Sequence, residues 1–231
     1  MDVFGRLSDY DVFAYLPQGF FVLAAADFFF GTSFVIHANW DVSTGVFVLF
    51  LSYAAGHLVA GPASRLLEAG IVHDMLKPPS VHLLLAEPSA SQLSQFLLPS
   101  YFSPLSRTMR ARVQTALEKA GSDLRGDEAY WVAYSVAKRD EHAKPRLANF
   151  LNVYGFCRNL SFIAAVTAEL LFVQAWVAPR LDTFGSAAHE FAAAVGFALI
   201  SFQLFKRYLK FYRLYSIEVF VTFATSQAGE K

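Results

Sequence analysis

Leu160 to Ala178 reads LSFIAAVTAELLFVQAWVA, nineteen residues with one ionisable side chain, Glu169, and with Pro179 directly after. The hydrocarbon core of a bilayer needs about 20 mostly apolar helical residues to cross it, so this stretch is long enough to span. Three others match it. Val12–Phe30 (VFAYLPQGFFVLAAADFFF) ends at Gly31, Thr44–Gly61 (TGVFVLFLSYAAGHLVAG) is stopped by Pro62, and Ala188–Phe205 (AHEFAAAVGFALISFQLF) runs into Lys206 and Arg207. A buried helix of a soluble domain can imitate one such run; four in a single short chain predict four membrane spans.

The composition agrees. Of 231 residues, 55% are apolar and only 16% charged, against roughly 25% charged in an ordinary soluble domain. So few charges do not cover a globular surface unless lipid covers part of it, and they argue against intrinsic disorder. Lys+Arg and Asp+Glu are equal at 19 each, which excludes a basic nucleic-acid binder and predicts no direct nucleic-acid readout. The single cysteine excludes an intrachain disulfide framework and a multi-cysteine zinc site.

Basic residues give the orientation, because Lys and Arg collect on the cytoplasmic side. Residues 63–159 hold twelve of them, Arg6 precedes the first span, and Lys206, Arg207, Lys210, Arg213 and Lys231 follow the last. The two connections on the opposite side, Gly31–Ser43 and Pro179–Ala187, hold Arg180 alone. Both termini and residues 63–159 are therefore expected in the cytoplasm, in the plasma membrane and, by this layout, a bacterial inner membrane. The N-terminus carries Asp2, Asp9 and Asp11 against Arg6, the wrong sign for a signal peptide, so the first span is expected to be retained. The expected organisation is a pair of spans in 1–62, a helical cytoplasmic domain in 63–159, a second pair in 160–205 and a basic, aromatic helix and tail in 206–231.

Within the cytoplasmic segment, Ser64–Leu76 continues the second span as a helix until Lys77-Pro78-Pro79 ends it. Val81–Ala86 is the one short apolar run that reads as a strand. Ser89–Leu98, Pro104–Ala120 and Glu128–Asp140, the last capped by Asp127, read as helices, with Tyr130, Trp131, Tyr134 and Val136 supplying apolar surface. Pro145 opens a helix predicted to run through Arg158 into the third span. After the fourth span, Lys206, Lys210 and Arg213 share one helical face while Phe211, Tyr215, Val219 and Phe223 recur on another. That tail is predicted to pack on the inserted domain with its basic face toward anionic headgroups. A dedicated site for an anionic lipid or a nucleotide is the alternative the same cluster suits.

Ionisable groups inside lipid are costly and mark candidate sites. Glu169 lies near the midplane, level with Tyr53; Asp27 and Glu190 lie near the outer ends; Gln18, His57 and Asn159 lie near the inner ends. Ser161, Ala165 and Glu169 recur at four-residue steps, as do Ser52, Gly56 and Ala60, and Ala192 and Gly196. Small residues at that spacing let helices approach closely, which predicts Glu169 in a helix–helix seam. Two roles are open there: a hydrogen bond across the seam, to Tyr53 for instance, or a proton or ion path through Glu190/Asp27, Glu169 and His57. His57 is placed to meet Asn159 or Arg158. Cys157 reads as a buried small residue rather than an acylation site.

No phosphate loop, dinucleotide fingerprint, paired-histidine zinc motif or nucleophile elbow occurs. Catalytic residues are therefore unassigned, and neither a metal nor a cofactor is expected. The reading is an all-α polytopic membrane protein, leaning away from an enzyme, whose partners are the bilayer and either further copies of itself or another membrane or cytoplasmic protein. Its cytoplasmic domain is expected to receive a partner or small signal and its spans to oligomerise or rearrange. The alternative is an embedded enzyme or transporter pocket around Glu169, His57 and Arg158.

Overall fold

The computed structural model describes residues 9–32, 34–35, 40–85, 92–121, 127–177 and 184–229. It is all-α, with no strand among the described residues. In chain order the helices are α1 (Asp9–Phe30), α2 (Val42–Ala63), a π-helical segment (Ser64–Leu76), α3 (Pro79–Leu84), α4 (Gln92–Leu97), α5 (Arg107–Lys119), α6 (Asp127–Ala137), α7 (Lys144–Val177) and α8 (Phe184–Gly229). The run expected as a strand, Val81–Ala86, is instead mostly inside α3. Pro79 at its first position suits a helix start, and six apolar-rich residues are too few for periodicity to separate strand from helix.

Three helices among the described residues are long and apolar enough to cross a membrane: the one that opens at Val42, α7, and the part of α8 from Ala187. In α1 the apolar helical run is Tyr15–Phe30, about 24 Å at 1.5 Å per residue, short of the roughly 30 Å of a hydrocarbon core. The connection expected over Pro179–Ala187, with Arg180, lies for the most part outside the described residues.

The chain divides into two compact units. The first comprises 1–68 and 155–208, the second 69–154 and 209–231.

In the first unit α1 and α2 cross at contact distance. A Cβ added to Gly19 would lie 1.6 Å from the Ser52 carbonyl oxygen, and one added to Gly56 2.1 Å from that of Tyr15. Only glycine fits at either point, the small-residue logic of membrane helix packing. Asp41 caps α2, its carboxylate accepting from the Thr44 N–H at 2.7 Å and the Ser43 hydroxyl at 2.9 Å. Those hydrogen bonds, chiefly Thr44's, hold the Asp41 carboxyl below its usual range. Ser161 of α7 and Ser201 of α8 exchange hydroxyl-to-carbonyl bonds of 2.9 and 2.8 Å, and Phe172 meets Phe191 edge-on at 5.5 Å. Phe28, Phe50, Leu58, Val173, Trp176 and Leu199 remain exposed, an apolar surface of the kind that faces lipid or another protein.

Pro62 lies inside α2, and the wider winding of Ser64–Leu76 begins two residues later. Proline lacks the N–H that would close on Leu58 and its ring crowds that carbonyl, the setting in which a helix changes its hydrogen-bond step. Lys77 ends the segment with φ 65°. Its carbonyl accepts from the Tyr101 hydroxyl at 2.7 Å, and Pro78 and Pro79 prevent continuation.

The second unit has its own core of Leu83, Leu105, Val113, Leu117, Leu147, Val219, Phe220 and Phe223, among others. In α6, Ala129, Ala133 and Ala137 are fully buried at four-residue steps while Trp131 stays 63% exposed. The buried face of α6 is thus its alanine row. Tyr130, Val132, Tyr134 and Val136 pack beside it, while the exposed Trp131 ring meets those of Tyr130 and Tyr134 edge-on.

Candidate functional site

The most enclosed polar side chains of the first unit form one continuous cluster. Gln18 and Asn159 are fully buried and Arg158 is 7% exposed. Arg158 Nη1 pairs with Glu68 Oε2 at 2.5 Å, and the Ser64 hydroxyl donates to the same oxygen at 3.1 Å. Arg158 Nε donates to Asn159 Oδ1 at 3.1 Å, Asn159 Nδ2 to Gln18 Oε1 at 2.9 Å, and Gln18 Nε2 to the Phe156 carbonyl at 3.4 Å. Donors and acceptors therefore alternate without a gap from Ser64 to Phe156.

Each position has a local cause. Gln18 follows Pro17 in α1, Arg158 and Asn159 are consecutive on α7, and Ser64 and Glu68 are one helical turn apart on the π-helical segment. Three segments distant in sequence are fastened by side chains that each hydrogen-bond another member. A buried ion pair of this sort gains from satisfied neighbours what it loses in hydration. The arrangement holds α1, α7 and the π-helical segment together.

The other expected residues are elsewhere. Glu169 is exposed, not seated in a seam. On α7 the buried row is Ser161, Ala164, Ala168, Leu171 and Ala175; each four-residue step turns a side chain by about 40° beyond a full turn, so Ser161–Ala165–Glu169 drifts off the buried face by about 80°. On α8, Ala192 is exposed and a Cβ added to Gly196 would meet nothing within 4 Å, whereas Ser52 and Gly56 of α2 do face a partner helix. His57 meets neither Asn159 nor Arg158. The Tyr15 ring stacks on it at 3.9 Å and the Tyr53 ring meets it edge-on at 4.6 Å.

Asp27 is buried and binds its own loop. Its carboxylate accepts from the Thr32 hydroxyl, from the Phe34 N–H at 2.6 Å and from the Val35 N–H at 3.0 Å. Glu190 Oε2 is buried with no partner among the described residues. Glu169 is thus exposed, His57 packs against the Tyr15 and Tyr53 rings, and Arg158 pairs with Glu68.

Of the basic tail, Lys206, Arg207 and Lys210 are exposed, with the Lys206 ammonium 5.7 Å from the Phe202 ring. Arg213 differs: it is half-buried, its Nη2 donates to the Ser103 carbonyl at 2.9 Å, and its Nε is buried without a partner among the described residues. It serves the second unit's packing rather than a shared basic face. Also in this unit, burial pushes the phenols of Tyr101 and Tyr130 above their usual range. His82 is nearly enclosed, with Nε2 2.7 Å from the Leu76 carbonyl.

The sequence places Gln18 and Asn159 near the inner ends of their spans, with Arg158 next to Asn159, but does not join them to one another or to Glu68. The signal available was that shared depth, since an amide at the inner end of an apolar run needs a partner. No cluster of histidine, cysteine and carboxylate able to hold a metal occurs among the described residues. No protein-family model, curated protein or solved structure matches this chain.

Proposed function

We propose that this chain is an integral membrane protein with spans at 12–30, 44–61, 160–178 and 188–205, and with both termini and residues 63–159 in the cytoplasm. It serves as a non-enzymatic module: its helical cytoplasmic segment receives a protein partner or small signal, and its spans oligomerise or rearrange to alter permeability or signalling. The observation that carries this reading is helix continuity. Residues 42–76, Lys144–Val177 and Phe184–Gly229 each run helically from an apolar span into polar, cytoplasm-assigned sequence. An event on the polar part then acts on a span through the helix itself. The buried cluster supports α1 as a fourth span despite its short apolar run, because Gln18 is bonded to Asn159 at the inner end of α7.

The test has two arms. Reporter fusions after residues 62, 120 and 231 are expected to read cytoplasmic, and a fusion within 179–187 to read external. The full chain, purified in detergent and reconstituted in liposomes, is expected to give a multimeric mass and a solute leak above empty vesicles. External fusions at residue 120, or a monomer in tight vesicles, overturn the reading.

A further inference from the structure

Resting on the reading of the cytoplasmic segment as a receiver of a small signal, we infer that the second unit binds a phosphate-bearing ligand in the cleft between α5 and the end of α8. Thr108, Arg112, Thr115 and Lys119 follow one another along α5 at steps of four, three and four residues, which sets them on one helical face. With Thr225 and Gln227 of α8 they line a cleft of about 610 Å³, within the roughly 300–1,000 Å³ usual for small-molecule sites.

The charge in this cleft is one-sided. Arg112 and Lys119 are exposed, neither has an ion-pair partner among the described residues, and no carboxylate is among the lining residues. A phosphate finds two full positive charges here, one a planar guanidinium suited to two of its oxygens, with hydroxyl and amide donors beside them. Met109, Ala116 and Ala224 complete the lining with apolar surface. No aromatic ring lies among the lining residues, so the substituent on the phosphate is aliphatic or sugar-like rather than a base that needs a stacking partner. This chemistry belongs equally to a soluble phosphomonoester and to a phospholipid headgroup.

A purely structural role for the two cations is to offset the last carbonyls of α8, since positive charge is favourable at a helix C-terminus. The experiment separates the cases. The full chain is placed in nanodiscs of phosphatidylcholine and titrated with glycerol 3-phosphate, followed by calorimetry and thermal unfolding; a parallel set of nanodiscs contains phosphatidylglycerol. Stabilisation by glycerol 3-phosphate identifies a soluble ligand, and stabilisation by phosphatidylglycerol a headgroup.

Either effect is expected to weaken with added salt and to fall roughly tenfold or more in Arg112→Gln/Lys119→Gln. It is expected to survive in Arg139→Gln/Lys144→Gln, which removes the same charge elsewhere. No response to either probe, or equal loss in both double variants, overturns the site. A lower melting point of Arg112→Gln/Lys119→Gln without a probe response in the parent assigns the cations to α8's carbonyls instead. The fusion and leak measurements do not depend on this cleft, so they fail or succeed separately from it.

Discussion

Arg158 shows what a charge needs to remain nearly enclosed at the end of an apolar helix: an opposite charge, and a neutral amide to accept a further donor. Arg158 meets both demands through Glu68 and Asn159. Removing one partner strands the other, a loss of about 3–5 kcal/mol for a buried pair, whereas replacing both with apolar groups is often close to neutral. Glu68→Leu is therefore expected to destabilise the detergent-solubilised chain strongly, because it strands the nearly enclosed Arg158, and Arg158→Leu less, because the Glu68 it leaves behind is the more exposed side chain. The double variant is expected to recover most of the loss. Denaturant titration of the four proteins in a double-mutant cycle measures this; strictly additive losses would show that the two side chains do not act as a pair. Asp27 makes the complementary point. In a list of intramembrane acids it looks like a stepping stone for ions, yet its oxygens are occupied by a hydroxyl and two backbone N–H groups of its own loop.

Between elements, the tightest constraint is the crossing of α1 and α2. A Cβ at Gly19 or Gly56 collides with backbone of the other helix, which unlike a flexible side-chain end does not yield cheaply, while one at Gly45 meets nothing within 4 Å. Gly19→Ala and Gly56→Ala are expected to lower the melting temperature by several degrees or to prevent assembly of the pair, and Gly45→Ala to change it little. Equal melting temperatures for all three would mean that the helices do not cross at these residues. How much of this was readable follows from the same helices. Ser52 and Gly56 were legible as a packing stripe, and both face α1. The same spacing fails on α7, where Ala165 and Glu169 are exposed and the buried row runs through Ser161, Ala164 and Ala168: small residues at four-residue steps do not say which face of a helix has a neighbour. Three long apolar helices, the unbroken α7 and α8 and the stop at Lys77-Pro78-Pro79 were all written in local sequence. The winding change after Pro62, the short α3 and the bond from Asn159 to Gln18 were not. Each depends on a backbone step or a distant neighbour that periodicity does not encode.

At the scale of the chain, the two units dispose of their apolar side chains differently. The first unit leaves Phe50, Leu58 and Trp176 exposed, while the second gathers Val113, Phe220 and Phe223 into an enclosed core. The second unit therefore carries the pH dependence of an ordinary folded domain. Burial raises the Tyr101 and Tyr130 phenols, so in the unfolded chain they lose protons from about pH 10 while the folded chain keeps them. Their contribution to stability is fully present below that pH and is lost as the pH rises beyond it. Thermal unfolding of the parent is expected to fall above about pH 10, and the fall is expected to be shallower in Tyr101→Phe/Tyr130→Phe. Identical slopes would show that these phenols ionise as readily folded as unfolded.

Cys157 has a practical consequence. It is the chain's single thiol and is 1% exposed on α7. Maleimides and methanethiosulfonates require both access and a thiolate, so the parent protein is expected to be silent toward them in its native state. A cysteine installed at Trp131 or Thr115, both exposed, then becomes the one reactive handle. Spin labels and fluorophores can be attached there without first deleting a native residue from a packed helix.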